Sequence, residues 1–303
     1  MMNEINLEKQ AKDYQIEVVN PKNEGLRKQF NQLNKESFGF DFENWYQAGY
    51  WPDDYVPHVL VVDEKVVANV SIYLQRMEIG NIEKIYVQIG NVTTGNDYRG
   101  FGYSRILMEE VLRKYKPVTD QIFLYAHDGV KDFYAKFGFI LTHEFEYSLE
   151  VKGNEFPITT VEKINLSDYK ELKILEERAR LGNAYSDFQM RNAYPLTMFY
   201  STYFLKDSIY YIPNFDVIVI ADYEEDIVII SEILGAKTVA LEKIIQAMTK
   251  DGIKQVNFGF TPKEKEKFDI NQVSVENTSL FVLKSELDIT VKNHCMFPAL
   301  AHT

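Results

Sequence analysis

The chain has 303 residues, room for two ordinary domains, and its 46% hydrophobic and 26% charged residues are those of a globular protein, not a disordered one. A net charge of −12, from 45 acidic and 33 basic residues, argues against nucleic acid as a partner and mildly favours cationic small molecules or peptides. The sequence shows no run of about 18 apolar residues and no basic, apolar leader, so neither a membrane span nor a secretory signal is expected.

In chain order, YQIEVV (14–19) alternates as a strand. GLRKQFNQLNKESF (25–38) spaces Leu26, Phe30, Leu33 and Phe38 along one helical face, and DFENWYQAGYW (41–51) predicts a short second helix. HVLVVDEKVVANVSIYLQRMEI (58–79) reads as two strands about a turn at Asp63 to Lys65, and IEKIYVQIGNVTT (82–94) as a further strand. An amphipathic helix follows, with Tyr103, Leu107 and Val111 four apart, and it ends before Pro117. QIFLYA (121–126) predicts a buried central strand. DGVKDFYAKFGF (128–139) predicts a helix with Val130, Phe133, Tyr134 and Phe137 on one stripe and Gly138 after its end. ILTHEFEYSLEV (140–151) reads as one strand, and the polar KGNEFP (152–157) as a linker.

In the second half, residues 167–182 predict a helix with Ser167 as its N-cap, and FDVIVIADYEEDIVIISEILG (215–235) a hairpin. KTVALEKIIQAMTKDG (237–252) predicts a helix with Ala240, Ile244, Ala247 and Met248 on one side; KQVNFGF and TSLFVLKSELDI read as strands. The C-terminal NHCMFPALAHT is apolar enough to be packed. Cys295 is the only cysteine, which excludes an internal disulfide and a multi-cysteine metal cluster and suits a reducing, cytoplasmic setting. It reads as a small buried side chain rather than a nucleophile, and His294 with His302, lacking companion ligands, gives no metal site.

The stretch VTTGNDYRGFGYSRIL (92–107) passes from strand through R-G-x-G into helix. Such an entry presents bare N–H groups and the positive end of the helix dipole, an anion site. Gly100 and Gly102 let the backbone approach a phosphate, Arg99 adds a charge and Ser104 keeps the next position small; alone, the pattern also describes a tight connection. The dinucleotide fingerprint and the Walker lysine are both missing.

These residues resemble the GNAT acetyltransferase pattern V-x-T-x-P-x-Y-R-G-x-G-x-G/A, and the downstream FYAKFGF (133–139) is similar to that family's F/L-Y-x-x-x-G-F segment. The resemblance implies an α/β mixed-sheet acyl-CoA N-acyltransferase fold, with acetyl-CoA as co-substrate. Val92, Thr93 and Thr94 would pair with its pantetheine arm, while Arg99, Gly100, Phe101, Gly102, Tyr103 and Ser104 wrap its pyrophosphate. It implies direct attack by an amine on the thioester, with Tyr134 as the general acid for the leaving thiolate; a core tyrosine is the other reading of Tyr134. Asn96 stands where the family commonly has proline, Ser104 where it has Gly or Ala, and His127 where it often has asparagine. The preceding strand offers Tyr86 and Gln88, with Glu83 only at its beginning, so no carboxylate is well placed as base, leaving a water chain or the already neutral amine.

Residues 1–151 are thus expected to form a competent GNAT domain, and 158–303 a degenerate GNAT-like domain without the turn, as in Eis-like tandem enzymes. In those enzymes the C-terminal carboxylate serves as base, a role that would fall here on Thr303. The expected activity is acetyl transfer to a primary amine of a small molecule or peptide, with no nucleic acid or membrane partner and a homodimer left open. The rival is a non-catalytic acyl-CoA sensor or scaffold.

Overall fold

The computed structural model describes residues 13–80, 82–153, 158–273, 278–283 and 289–302. The chain divides into two compact units, one made of residues up to Leu74 with Val87–Leu124, the other of Gln75–Tyr86 with Tyr125–His302.

The first unit opens with β1 (Gln15–Val18) and α1 (Glu24–Phe38). Asn23 caps α1 by accepting the Leu26 N–H at 3.2 Å, and Gly39, at φ +81, closes it. Leu26, Phe30 and Leu33 are buried as the spacing predicts, while Phe38, in the last turn, is exposed. Then come α2 (Glu43–Gln47), which buries Trp45, and the hairpin of β2 (Tyr55–Val62) and β3 (Lys65–Ile79). Asp63 and Glu64 both take positive φ, as a two-residue turn between right-twisted strands requires. The unit continues with β4 (Ile82–Thr94), α3 (Tyr103–Tyr115) and β5 (Gln121–His127), the strands lying in the order β1-β2-β3-β4-β5. Gln121 to Leu124 are all buried, in keeping with the central place read from the apolar run.

The second unit holds α4 (Lys131–Ala135), β6 (Phe139–Thr142), β7 (Phe145–Glu150), β8 (Glu162–Lys163), α5 (Tyr169–Leu181), β9 (Phe188–Met190) and α6 (Tyr194–Tyr203). It continues with β10 (Ile209–Ile212), β11 (Val217–Glu224), β12 (Ile227–Leu234), α7 (Leu241–Met248), β13 (Gln255–Phe258), β14 (Asp269–Gln272), β15 (Thr278–Leu283) and α8 (Ile289–Asn293). Seven strands form a sheet in the order β14-β7-β13-β12-β11-β10-β8. The pairing of β12 with β13 is parallel, and α7 lies in that crossover, burying Leu241, Ile244, Ile245 and Met248 in the core formed with Val219, Ile230 and Val256.

Several elements depart from the periodicity. Residues 140–151 are two strands: β6 pairs with β15, while β7 pairs with β13 and β14. Three consecutive polar residues, Thr142 to Glu144, interrupt the apolar alternation where the partner changes. The helix expected over 128–139 is α-helical only at Lys131–Ala135, after a 3-10 turn at Asp128–Val130 that leaves Val130 exposed; Gly138 ends it at φ +88. The cap of α5 is Asp168, not Ser167, accepting the Lys170 and Glu171 N–H groups at 2.7 and 3.4 Å. In α7 the helix starts after Ala240, which is exposed at the N-cap. The C-terminal segment is packed: Cys295, Phe297, Leu300 and Ala301 are buried.

Removing the Asp168 carboxylate orphans two helix N–H groups. Asp168→Ala is therefore expected to lower stability by about 1 kcal/mol, read as a shift in the urea or thermal midpoint.

Candidate functional site

The expected anion-binding turn is built within the first unit. After Thr94 the chain makes a 3-10 turn at Asn96–Tyr98, in which the Tyr98 N–H reaches Gly95 O at 2.9 Å. Arg99 is extended, and Gly100 and Gly102 follow at φ +86 and +81. Only glycine takes two such conformations in three residues cheaply. Gly102 is the N-cap of α3 and no side chain caps the helix, so the first N–H groups of a 13-residue helix stay bare. A Cβ placed on Gly100 or Gly102 would meet nothing within 4 Å, so the space in front of both is open to a ligand.

The flanking residues hold the turn from both ends. Thr94 and Ser104 share a hydroxyl–hydroxyl hydrogen bond, tying strand end to helix start, and the Arg99 Nε–H donates to Thr94 O at 3.2 Å. Arg99 is exposed. Thr93 faces α1, bonding Ser37 between hydroxyls at 2.7 Å. Tyr103 is buried and stacks on Phe101 with ring centroids 5.6 Å apart, so only its N–H faces the turn's chemistry. The structure thus brings Val92, Thr93, Thr94 and Arg99 to Ser104 into one local cradle.

Tyr134 lies on α4, in the second unit. It is buried with its ring edge-on to Phe139 (centroids 6.2 Å), and its hydroxyl takes no hydrogen-bond partner among the described residues. Burial pushes the phenol up to about 12, so it is protonated at neutral pH. His127 is exposed and its Nδ1 accepts the Gly129 N–H at 3.1 Å, opening the 3-10 turn. Thr303 lies outside the described residues. Its neighbour His302 stacks on Tyr125 at 4.0 Å between centroids, and burial lowers its imidazole to about 4, leaving it neutral.

The sequence reading missed two buried carboxylates of the second unit. Glu144 accepts the Phe297 N–H at 2.7 Å and the Tyr125 hydroxyl at 2.9 Å; burial outweighs both bonds and raises it to about 7. Glu232 accepts from the Asn183 amide and is likewise raised by burial to about 7. A lone acid in the apolar run IVIISEIL was a visible signal for Glu232; nothing in HEFEYSLE separates Glu144 from the exposed acids beside it. Among the described residues no cluster of three or more His, Cys, Asp or Glu could hold a metal, and no helix is long and apolar enough to cross a membrane.

A glycine-opened helix N-terminus at the end of a strand, with open space before it, is an arrangement that can receive an anion. Residues 19–142 match the family model described as the acetyltransferase (GNAT) domain, and this part of the chain is such a domain. The fold extends over most of the molecule. A probable N-acyltransferase from Enterococcus faecalis is similar with a TM-score of 0.54 at 15% identity, covering 89% of this chain and 73% of its own. Eis1 from Mycobacterium abscessus is similar with a TM-score of 0.52 at 12% identity, covering 88% and 73%. A GCN5-related N-acetyltransferase from Kribbella flavida gives 0.51 at 15%, covering 88% and 71%. Among curated proteins, no sequence matches. The matched part of the chain is thus that of an acyltransferase of the N-acetyltransferase kind.

Glu144 and Glu232 give stability a definite pH dependence. Their folded values lie above the ordinary 4.5, so between pH 4.5 and 7 these two groups bind more protons in the folded chain than in the unfolded one, and their contribution to stability falls as pH rises through that window, against the opposite contribution of His58 and His302, which burial lowers to about 4. Each of Glu144→Gln and Glu232→Gln is expected to flatten that fall by a few kcal/mol, on the order of 1.4 kcal/mol per pKa unit, in denaturant titrations at pH 5 and 7.5.

Proposed function

We propose that the protein transfers the acetyl group of acetyl-CoA directly to a primary amine of a small molecule or peptide. The observation that carries this is the turn from Arg99 to Ser104: two left-handed glycines, open space before both, and an uncapped helix behind them, inside a domain matched as GNAT. Bare N–H groups at Gly102 to Ser104 and the α3 dipole bind the pyrophosphate, and the Arg99 guanidinium adds its charge. Val92 to Thr94 bind the pantetheine arm through their backbone. Bound there, acetyl-CoA supplies an activated thioester carbonyl.

The amine nitrogen forms a bond to that carbonyl carbon, the carbon–sulfur bond breaks, and the sulfur leaves with the proton of Tyr134 while the amine gives its own to water. Donation from a phenol near 12 to a thiol of ordinary pKa near 8.5 is uphill by about 5 kcal/mol. The burial that raises the phenol also raises a thiol lodged beside it, which narrows the gap. The charge of −12 favours a cationic acceptor. We assign catalysis to residues 1–151 and the shaping of the acceptor site to 158–303, in a cytoplasmic setting that suits the single, buried, free Cys295.

Calorimetric titration with acetyl-CoA, NADH and ATP, followed by CoA release over an amine panel, tests this. Gly102→Val, strained at φ +81 and filling the open space, is expected to weaken acetyl-CoA binding at least about tenfold. Tyr134→Phe is expected to keep affinity within about twofold and lower turnover by about 10² or more. If both variants behave as wild type the site is wrongly assigned. Binding without turnover on every amine would favour the sensor.

A further inference from the structure

Within β4, Asn91 stands at φ +48, a left-handed residue inside a strand, immediately before Val92. Such a residue interrupts the pleat and bends the strand, so it decides the direction in which Val92 to Thr94 leave it. Asparagine tolerates this conformation best after glycine. Glycine would adopt it without needing partners, yet here an asparagine is used and elaborately satisfied.

Four residues on three strands close a hydrogen-bonded circuit around it. The Asn91 Nδ2–H donates to the Tyr55 hydroxyl at 2.8 Å, and the Tyr55 hydroxyl donates to Ser71 Oγ at 3.1 Å. The Asn69 amide donates to Ser71 Oγ at 3.0 Å and to the main-chain oxygen of Asn91 at 2.7 Å. Asn69 and Ser71 stand two apart on β3, and so on one face, opposite Val59 and Pro57 of β2. Asn69 and Ser71 are wholly buried and Tyr55 nearly so. Burial holds the Tyr55 phenol far above its ordinary range, so it keeps the proton that it donates. Polar groups this deep are costly unless every member is satisfied, and a satisfied network locks one geometry.

We infer that the Tyr55–Ser71–Asn69–Asn91 circuit is a positioning device for acyl-donor binding: it fixes the bend at Asn91 and thereby the aim of the strand segment Val92–Thr94. This rests on the proposed function, in which that segment pairs with the pantetheine arm. Asn69 and Asn91 act through the backbone they hold. A merely structural circuit would affect folding stability alone.

The test uses the full chain with Asn69→Ala, which frees the Asn91 carbonyl, and Asn91→Gly, which keeps the left-handed backbone and deletes the side-chain bond. Val219→Ala, a core truncation elsewhere, is the control for lost stability. Two readouts are taken well below the unfolding midpoint: acetyl-CoA affinity, and amide hydrogen exchange at Val92–Thr94 without ligand. Both circuit variants are expected to weaken acetyl-CoA binding about tenfold and to speed exchange at Val92–Thr94, while Val219→Ala stays within about twofold on both. Unchanged exchange in the circuit variants, or an equal loss of affinity in Val219→Ala, overturns the inference. Absence of acetyl-CoA binding in the unaltered protein overturns instead the functional reading on which it rests.

Discussion

The constraint on which the candidate site depends is conformational: a chain leaving a strand must enter a helix without covering the first N–H groups of that helix. A Ser, Thr, Asp or Asn at the N-cap would satisfy one of those groups and place a polar, often negative, atom where a phosphate should sit. Gly102 does neither. It gives up a stabilising cap, and with Gly100 it leaves the space before α3 empty. The lost stability is recovered nearby in contacts that do not intrude: the Thr94–Ser104 hydroxyl bond, the Arg99 bond to Thr94 O, and Tyr103, whose ring is buried while its N–H faces outward. The helices α1 and α5 are by contrast each capped by an Asn or Asp side chain, whereas α6 and α7 start at alanines without a side-chain cap; α3 differs from these in the open glycine turn before it.

In the second unit the governing interactions are buried and acidic. Glu144 joins three distant pieces of chain through single atoms: Tyr125 at the end of β5, the Phe297 N–H of the C-terminal segment, and, through its own main-chain oxygen, the Val273 N–H. The Tyr200 hydroxyl bonds His302 O, and the Gln75 amide bonds Ala301 O. The segment from Cys295 to His302 is thus held by side chains reaching its backbone, which explains how a stretch with little regular secondary structure stays packed. The carboxylate that organises it is raised toward neutrality by the same burial.

Much of this was legible in the sequence, and the rest was hidden for identifiable reasons. The cradle was visible because it is local: its chemistry lies in the six consecutive residues Arg99 to Ser104. The strands β2 to β5 were visible as runs rich in β-branched and apolar residues bounded by turns, in keeping with burial on both faces over most of their length. The split of 140–151 has only a faint local mark, the three polar residues Thr142 to Glu144, while the two different partners are set by pairings far away in the chain. Helix α6 went unread because four of its ten residues are aromatic and several sides are buried, which erases the polar face that marks an amphipathic helix. Glu144 and the Asn91 circuit depend on pairings far apart in sequence, and no local pattern encodes them.

The proton balance sets the last condition on the chemistry. Both oxygens of Glu144 accept protein donors, and it sits beside groups that burial keeps uncharged: Tyr125 held above its ordinary range and, stacked on Tyr125, His302 held below it. The surroundings of Glu144 are therefore dry and neutral, and its oxygens are spent on holding the chain. In such surroundings an ammonium acceptor is penalised relative to the neutral amine, because burial disfavours the charged form of a base. An amine entering them would shed its proton to solvent on the way in. Since β4 offers a glutamate only at its start, Glu83, the proposed transfer would then rest on an acceptor desolvated before it reaches the thioester.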